Sequence, residues 1–466
     1  MWPNTAGLGR RSGAALAGLL VSVAVGRGQP GDSFASDRVG PVSVAPTAAA
    51  PAPTPTSLTL PAAVRQALEN NPALIAQRRQ RGIASARVVI ADTYPFNPVL
   101  ETRVQRAHGP PEAGVTNKTP FESLLLWEIE LRGQRKLRRE GAAAALSRTD
   151  WEVAAQEQAL AVQVIKAYAA LQYRQEKLRL LEETRTLNER QVDDVRRLVD
   201  AGRLRPADLI VARTEVTDTL DLVSAGREAL TTARQDLLRP LGLVGGLIET
   251  DGPFEPPVWE PDAAAFGELA LSRRADLRAR QMAVAEAEAN LRLTLANRYG
   301  NPIVGPAVGY DPSKISTAGV QVNVPLPIAN TNRGQVFQSE AEHALAVDGL
   351  RQAEINVRQD VAAGLARLAA AEQRAEQFRS KLLPDLRTAV ADMEKLFQAG
   401  EPGLDLLRVI DVRRKLLRAR DGYLDALWSV RQARADLAAA VGEPALGFVS
   451  PAVSPEPPAQ MGTPKP

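Results

Sequence analysis

Apolar residues recur at intervals of three and four through two very long stretches of the chain. In the first, 134–199, the stripe runs Leu160, Val164, Tyr168 and Leu171, then Leu178 and Leu181, then Val192, Val195 and Val199. No proline interrupts the chain between Pro120 and Pro206. This is the period of an α-helix with one buried face. At about 1.5 Å per residue such a helix is on the order of 100 Å long. It must therefore lie along partners of similar length. The second stretch, 334–397, carries Val361, Leu365 and Leu368, then Leu382, Leu386, Val390, Met393 and Phe397. Pro384 lies inside it, which predicts a break near Lys381. Both stretches end in Ala-Gly (Ala201-Gly202 and Ala399-Gly400), where glycine supplies a left-handed cap. Return helices are predicted over 209–238 and 406–440, and single shorter helices over 61–94 and 265–299.

Between the helices the period changes to two. In 123–131, Leu125, Trp127, Ile129 and Leu131 fall on one face, and Glu128 and Glu130 on the other. In 99–105, Leu100, Thr102 and Val104 alternate with Glu101, Arg103 and Gln105. In 319–326, Val320, Val322, Val324 and Leu326 alternate with Gln321, Asn323 and Pro325, and 304–310 is a weaker, Gly-rich fourth strand. Strands apolar on one side and polar on the other suit a transmembrane β-barrel, although an ordinary half-buried sheet alternates too. Four strands cannot close a barrel, because the smallest have about eight. An open edge cannot stand in lipid. Either these are two soluble hairpins or several chains pool their strands. Tyr94, Phe96, Phe121 and Tyr310, near the strand ends, suit interfacial girdles.

The same landmarks occur twice at an offset of roughly 200 residues, too long a period for a solenoid. Tyr94-Pro95-Phe96-Asn97-Pro98 is answered by Tyr299-Gly300-Asn301-Pro302, and Leu131-Arg132-Gly133-Gln134 by Asn332-Arg333-Gly334-Gln335. Ala201-Gly202 followed by Asp208-Leu209 is answered by Ala399-Gly400 followed by Asp405-Leu406. The chain thus divides into 58–250 and 251–445, each a helix, a β-hairpin and a long helical hairpin.

Composition agrees with long helices: Ala, Arg, Leu, Glu and Gln dominate, and aromatics are only 4% of the 466 residues. The 57 basic and 54 acidic side chains are interleaved, giving a net charge of +3. Without a basic block or a stacking platform, nucleic acid is not an expected partner. The chain has no cysteine. That excludes disulfides, thiolate metal sites, a cysteine nucleophile and a lipidated N-terminal cysteine. Arg10 and Arg11 before the apolar run 14–25 read as a secretory signal peptide spanning 1–27. A Pro/Ala-rich linker follows over 28–57, and 446–466 reads as a disordered tail.

The chain resembles the outer membrane factor (TolC-like) family of efflux ducts. The likeness covers 58–444 and rests on the duplication and the paired Ala-Gly turns. It also rests on Leu58-Thr59-Leu60 leading into Ala67-Leu68-Glu69-Asn70-Asn71-Pro72 and on 406–411 followed by Arg413-Arg414. The resemblance implies a mainly α fold with a small β part. Three copies would form an α-helical barrel of long coiled-coil helices, joined to a pooled twelve-strand transmembrane β-barrel with four strands per chain. It further implies a periplasmic adaptor (membrane fusion) protein and an inner-membrane transporter of RND or ABC type as partners, besides outer-membrane lipid. The run 128–135 followed by Arg138-Arg139 is similar to the subgroup that serves heavy-metal cation exporters.

Chemistry is sparse. No nucleophile elbow, phosphate-cradling loop or paired-histidine motif occurs, so no enzyme activity, cofactor or dedicated metal site is expected. Of the two histidines, His108 falls in an expected loop and His343 reads as a helix-surface residue. The candidate residues serve transit and docking. Glu101, Arg103, Glu128, Glu130, Gln321 and Asn323 would face a barrel lumen. Asp208, Asp405 and Asp411 would bring rings of carboxylates to the narrow tips, where charge rings select and gate. For Asp208 and Asp405, N-capping of the return helix explains the residue equally well. Around Asp411, Arg408, Arg413 and Arg414 are the expected partners. Gly202, Leu204, Leu209, Gly400, Leu404 and Leu406 would form exposed docking tips for the adaptor. Two function classes remain: a passive efflux duct for small solutes or metal cations, and a secreted periplasmic coiled-coil scaffold without a channel.

Overall fold

A computed structural model describes residues 56–109, 112, 118–256, 263–313, 315–328, 330–399 and 406–447. The expected signal peptide, nearly all of the linker and nearly all of the tail lie outside these residues. The chain is mainly helical with a small sheet. The first half runs β1 (Thr56–Leu58), α1 (Leu60–Asn70), α2 (Pro72–Asp92), β2 (Val99–Val104), β3 (Phe121–Glu128), α3 (Gln134–Asp200) and α4 (Pro206–Leu241). The second runs β4 (Ile248–Thr250), α5 (Ala263–Arg273), α6 (Ala275–Ala296), β5 (Ile303–Tyr310), β6 (Ser316–Asn323), α7 (Arg333–Gln377), α8 (Leu383–Gln398) and α9 (Leu406–Val441). No described helix is long and apolar enough to cross a membrane, which says nothing of a β-barrel.

The helix α3 has 67 residues, close to its expected span. Of its predicted stripe, Leu160, Val164, Tyr168, Leu171 and Val195 are all under a tenth exposed, whereas Leu178, Leu181, Val192 and Val199 are half-buried. At its end Gly202 takes φ +71, with Arg203 N–H donating to Leu198 O at 2.8 Å and Gly202 N–H to Val199 O at 2.9 Å. That pair of bonds is a Schellman cap.

Three features differ from the expected pattern. Each shorter helix is two. Asn71 breaks the first: its side-chain oxygen accepts from Leu74 N–H at 3.1 Å, and Pro72 fills the first helical turn. The Asn71 amide then donates to Pro240 O at 3.0 Å, which ties this break to the end of α4. Arg274, extended, breaks the second. The last two linker residues, Thr56 and Ser57, belong to β1, which pairs in parallel with β4. The hydroxyl of Tyr168 lies 2.9 Å from Leu58 O and 2.7 Å from Asp251 O, and joins this small ladder to α3.

The predicted break at Pro384 is a π-helical turn, Phe378–Leu382, between α7 and α8. Proline lacks the N–H a regular helix needs, and its ring crowds the carbonyl four residues back. The π turn inserts one residue and rotates α8 about the helix axis. Leu382, expected in the stripe, is therefore exposed at 43%, and Leu383 is buried at 5% in its place.

The four main strands form one antiparallel sheet in the order β2-β3-β5-β6. Leu100 lies opposite Leu125, Val104 opposite Phe121, Phe121 opposite Tyr310, Trp127 opposite Val304, Val304 opposite Val322, and Pro306 opposite Val320. Paired residues point to the same side, so one face of the whole sheet is apolar. Most of it is solvent-exposed in the single chain, with Val320 at 75% and Leu100 at 69%. The strands β2 and β6 each leave one edge unpaired within this sheet. Of the expected strand 123–131, Ile129, Glu130 and Leu131 lie past the end of β3, and Val324 and Leu326 lie past the end of β6.

At Gly305 the backbones of β3 and β5 come too close for a side chain: a Cβ there would sit 1.7 Å from Leu125 O. At Gly319 on β6 a Cβ would meet nothing within 4 Å. Gly305→Ala should cost at least the 1–3 kcal/mol or so of an overpacked site. We expect it to lower the thermal midpoint of the purified protein by several degrees, while Gly319→Ala leaves it near the parent value. Equal midpoints would show that the sheet crosses less tightly at Gly305.

Candidate functional site

Two regions gather the residues singled out from the sequence: the sheet and the turn at the far end of α3 and α4. On the sheet, Glu101, Arg103, Glu128, Gln321 and Asn323 share the face opposite the apolar one. Glu122 joins them, with Arg103 Nη1 3.8 Å from its Oε2. Leu124 and Leu126 also fall on this side, so it is mixed rather than purely polar. At its base Glu128 accepts from Asn301 Nδ2 at 3.0 Å, and Gln134 Nε2 donates to Asn301 Oδ1 at 2.6 Å. Gln134, fully buried, also accepts from Arg132 N–H at 2.8 Å. The conspicuous Arg-Gly-Gln and Tyr-Gly-Asn landmarks therefore lock strand ends to helix starts.

Glu130 is not on the polar face of a strand. Its side chain is 5% exposed and forms a two-pronged ion pair with Arg138 of α3. Its N–H donates to Tyr94 Oη at 3.1 Å, and that hydroxyl donates to Glu128 O at 2.6 Å. Alternation continues through Glu130 in the sequence, but the backbone has already left the sheet.

At the far turn, Asp208 caps. It is buried at 6%, in the first turn of α4, and its Oδ2 accepts from Arg205 N–H at 2.9 Å. Leu204 and Leu209 are not free anchors. Both are half-buried against Val195, Ala212 and Ile410, with Val192, Val199 and Phe397. The turn thus buries its leucines in a cluster that joins α3 and α4 to α8 and α9. Gly400, Leu404 and Asp405 lie outside the described residues, and Leu406 opens α9. Among the described residues near the turn, Ile210, at 65%, and Val211, at 40%, are large apolar side chains left exposed on α4. The sequence held this signal: Ile210 and Val211 fall off the stripe set by Leu209 and Ala212.

Asp411 is exposed and pairs with Lys415, Oδ2 to Nζ 2.7 Å. A spacing of four places that lysine on the same helix face. The hydrogen bond from Lys415 holds the Asp411 carboxyl below the usual carboxylate range, aided by the charges of Arg414 and Arg418. Two of the arginines expected beside it, Arg413 and Arg414, bond to other helices, because their positions are turned around the helix. Arg413 donates to Glu394 of α8 at 2.8 Å and to Gln191 of α3 at 3.0 Å. Arg414 forms a two-pronged pair with Glu215 of α4, one contact at 3.0 Å. Further along, Lys177 of α3 reaches Asp421 at 3.0 Å and Asp425 at 3.4 Å on α9. Burial lowers the Lys177 pKa, but hydrogen bonds with Asp421 and Tyr173 outweigh it and raise the net value. A groove of about 780 Å³ runs between α3, α4 and α9, lined by Leu178, Leu181 and Leu222 among others and bridged by the Arg414–Glu215 pair. The second helical hairpin is thus held to the first by polar ties as well as by the apolar cluster at the turn.

Comparison with known proteins gives this geometry a context. Over 384 residues the chain is 24% identical to the cobalt-zinc-cadmium resistance protein CzcC of Cupriavidus metallidurans, covering 81% of this chain and 88% of that one. Its fold is similar to the crystal structure of CusC, with a TM-score of 0.69 at 19% identity, over 82% of this chain and 92% of that one. It is likewise similar to the outer membrane protein VceC of Vibrio cholerae, with a TM-score of 0.68 at 14% identity, over 82% and 96% of the two chains. The family model described as "Outer membrane efflux protein" matches residues 63–243 and again 267–443, one match in each half. With both halves matched, the chain belongs to the outer membrane efflux protein family.

Proposed function

We propose that three copies of this chain form a passive duct for small solutes or metal cations. The observation that carries this is the sheet: one apolar face across all four strands, and two edges unpaired. Unpaired backbone groups in a bilayer cost several kcal/mol each, roughly, so such an edge must meet another strand. Joining β6 of one copy to β2 of the next closes a ring of twelve strands, above the minimum of about eight. The apolar face then meets lipid, and Glu101, Arg103, Glu128, Gln321 and Asn323 line the lumen. The two halves read as an internal duplication, 58–250 and 251–445. The helices continue the duct into the periplasm. There a periplasmic adaptor and an inner-membrane transporter of RND or ABC type supply what a passive duct cannot, the driving force. CzcC is named for cobalt, zinc and cadmium resistance, and this favours divalent metal cations as cargo. Transit needs no resident metal or cofactor.

The lipid face has a direct test. Val320→Arg should cost about 2–4 kcal/mol in denaturant unfolding from lipid vesicles if it lies near the midplane, and Gln321→Arg far less. Equal costs at the two neighbours would remove the strand from the bilayer.

The gate sits at the far turn. Arg414–Glu215 and Arg413–Gln191 hold the second hairpin against the first, and Asp411 offers a ring of three carboxylates. Asp208 serves as a helix cap. In planar-bilayer recordings, Arg414→Gln should raise single-channel conductance, and unchanged conductance would show that closure lies elsewhere. Asp411→Asn should reduce cation preference. A depressed pKa keeps the carboxylate charged, so the preference it gives the parent persists down to about pH 4, the ordinary carboxyl range, and fades only below it. Loss already near pH 5 would assign the selectivity to a different group.

The adaptor docks on the turn, with exposed Ile210 and Val211 as its apolar contacts beside Gly202. Ile210→Glu should assemble normally yet lose adaptor crosslinking and export. Crosslinking at the parental level would exclude this face.

A further inference from the structure

The junction between the sheet and the helices carries a feature that a bare duct does not require. Loops leaving β3, α6 and β6 meet there. Arg132 donates to Tyr299 O at 2.6 Å, and Asn332 Nδ2 lies 3.4 Å from Arg298 O. The guanidinium groups of Arg132 and Arg298 both lie over the Tyr299 ring, 5.1 and 5.7 Å from its centre. Arg298 Nε is shielded from solvent and has no acceptor among the described residues. On the first turns of α3, Arg135 and Arg139 share one carboxylate, Asp92, at 3.1 and 3.3 Å, so one positive charge stays uncompensated. Both remain more than half exposed, and Lys136 beside them is 81% exposed, its ammonium 3.7 Å from Glu140 one turn on. The same loops expose large apolar side chains: Leu131 after β3, and Leu326 and Ile328 after β6, each at least 70% exposed.

Basic groups and apolar groups gathered where the strands pass into the helices match an amphiphile with a negative head and a hydrocarbon tail. Arginine forks and lysine ammonium groups suit phosphate oxygens. A basic residue held at an anionic membrane surface contributes about 1 kcal/mol, which corresponds to roughly fivefold in affinity. We propose that this junction binds the headgroups of anionic phospholipids in the leaflet facing the periplasm. The basic residues hold the phosphate, and Leu131, Leu326 and Ile328 border the acyl chains. The site fixes the depth of the sheet in the bilayer. This rests on the reading of the sheet as membrane-spanning, and adds a lipid preference to it.

The test is a titration of the full-length protein, purified in neutral detergent, with phosphatidylglycerol, with phosphatidylcholine and with inorganic phosphate. Bound lipid is counted by native mass spectrometry. Phosphatidylglycerol should bind more tightly than phosphatidylcholine, and inorganic phosphate should not displace it at comparable concentration. Lys136→Gln should weaken phosphatidylglycerol about fivefold and the Lys136→Gln/Arg139→Gln pair more, with phosphatidylcholine unaffected and the thermal midpoint without lipid unchanged. Added salt should narrow the difference between the two lipids. Equal affinity for both lipids, or displacement by free phosphate alone, would overturn the proposal. Insertion into vesicles, measured alongside, separates the two readings. A protein that inserts but shows no preference refutes only the lipid site, whereas one that never inserts refutes the membrane sheet itself.

Discussion

A helix of 67 residues, on the order of 100 Å long, cannot be stabilised by its own hydrogen bonds and propensities alone. It needs a neighbour along nearly its whole length, and the remainder of the chain is arranged to provide one. The helices α1, α2, α4, α6 and α9 all pack against α3. Its buried stripe changes partner as it runs. Near the middle, Leu160, Val164, Tyr168 and Leu171 meet Leu74, Leu237 and Leu241. At the end, Val195 meets Ala212 and Ile410. The second half has its own core around Val361, Leu368, Val430 and Leu437, and Tyr173 of α3 reaches into it. The two halves therefore share a spine and do not fold as separate beads.

Periodicity made most of this legible. The limits of α3, the return helices and the alternation of the strands come from spacing alone, because each depends on which residues one face must hide. The failures share a cause: they are decided by partners far away in sequence. Nothing local shows that Asn71 donates to Pro240, or that Tyr168 supports β1 against β4. Glu130 continues a period of two, but Arg138 and Tyr94 capture it at the point where the chain turns. Leu204 and Leu209 look like spare anchors until Phe397 and Ile410 arrive from the other half. Asp411 shows the same limit: Arg413 and Arg414, close to it in sequence, belong to Glu394, Gln191 and Glu215. Composition located the charged residues, and only the helix rotation paired them.

The halves share an order of elements but not a mechanical character. The first hairpin has an unbroken α3. The second has a widened turn at Phe378–Leu382, and Leu383 takes over the buried position that a regular helix would give Leu382. Gly422 of α9 lies against the Phe378 ring there, where a Cβ would come within 2.9 Å of the ring carbon. An unbroken rod thus lies beside a jointed arm, whose end is fastened to it by ion pairs and by the packing of Phe397 and Ile410 against Val195 and Ala212.

The order of strands in the sheet also constrains when it can exist. The central contact, β3 with β5, joins Phe121 to Tyr310 and Glu128 to Ile303, residues separated by nearly the whole of α3, α4, α5 and α6. Closing so long a loop is slow compared with forming the helices that lie within it. During synthesis the β2–β3 hairpin emerges first and must wait, its apolar side uncovered, until the last strand has left the ribosome. A newly made chain thus passes through a period in which its helices are formed but its most aggregation-prone surface has no partner, and its safe arrival depends on whatever escorts it through that interval.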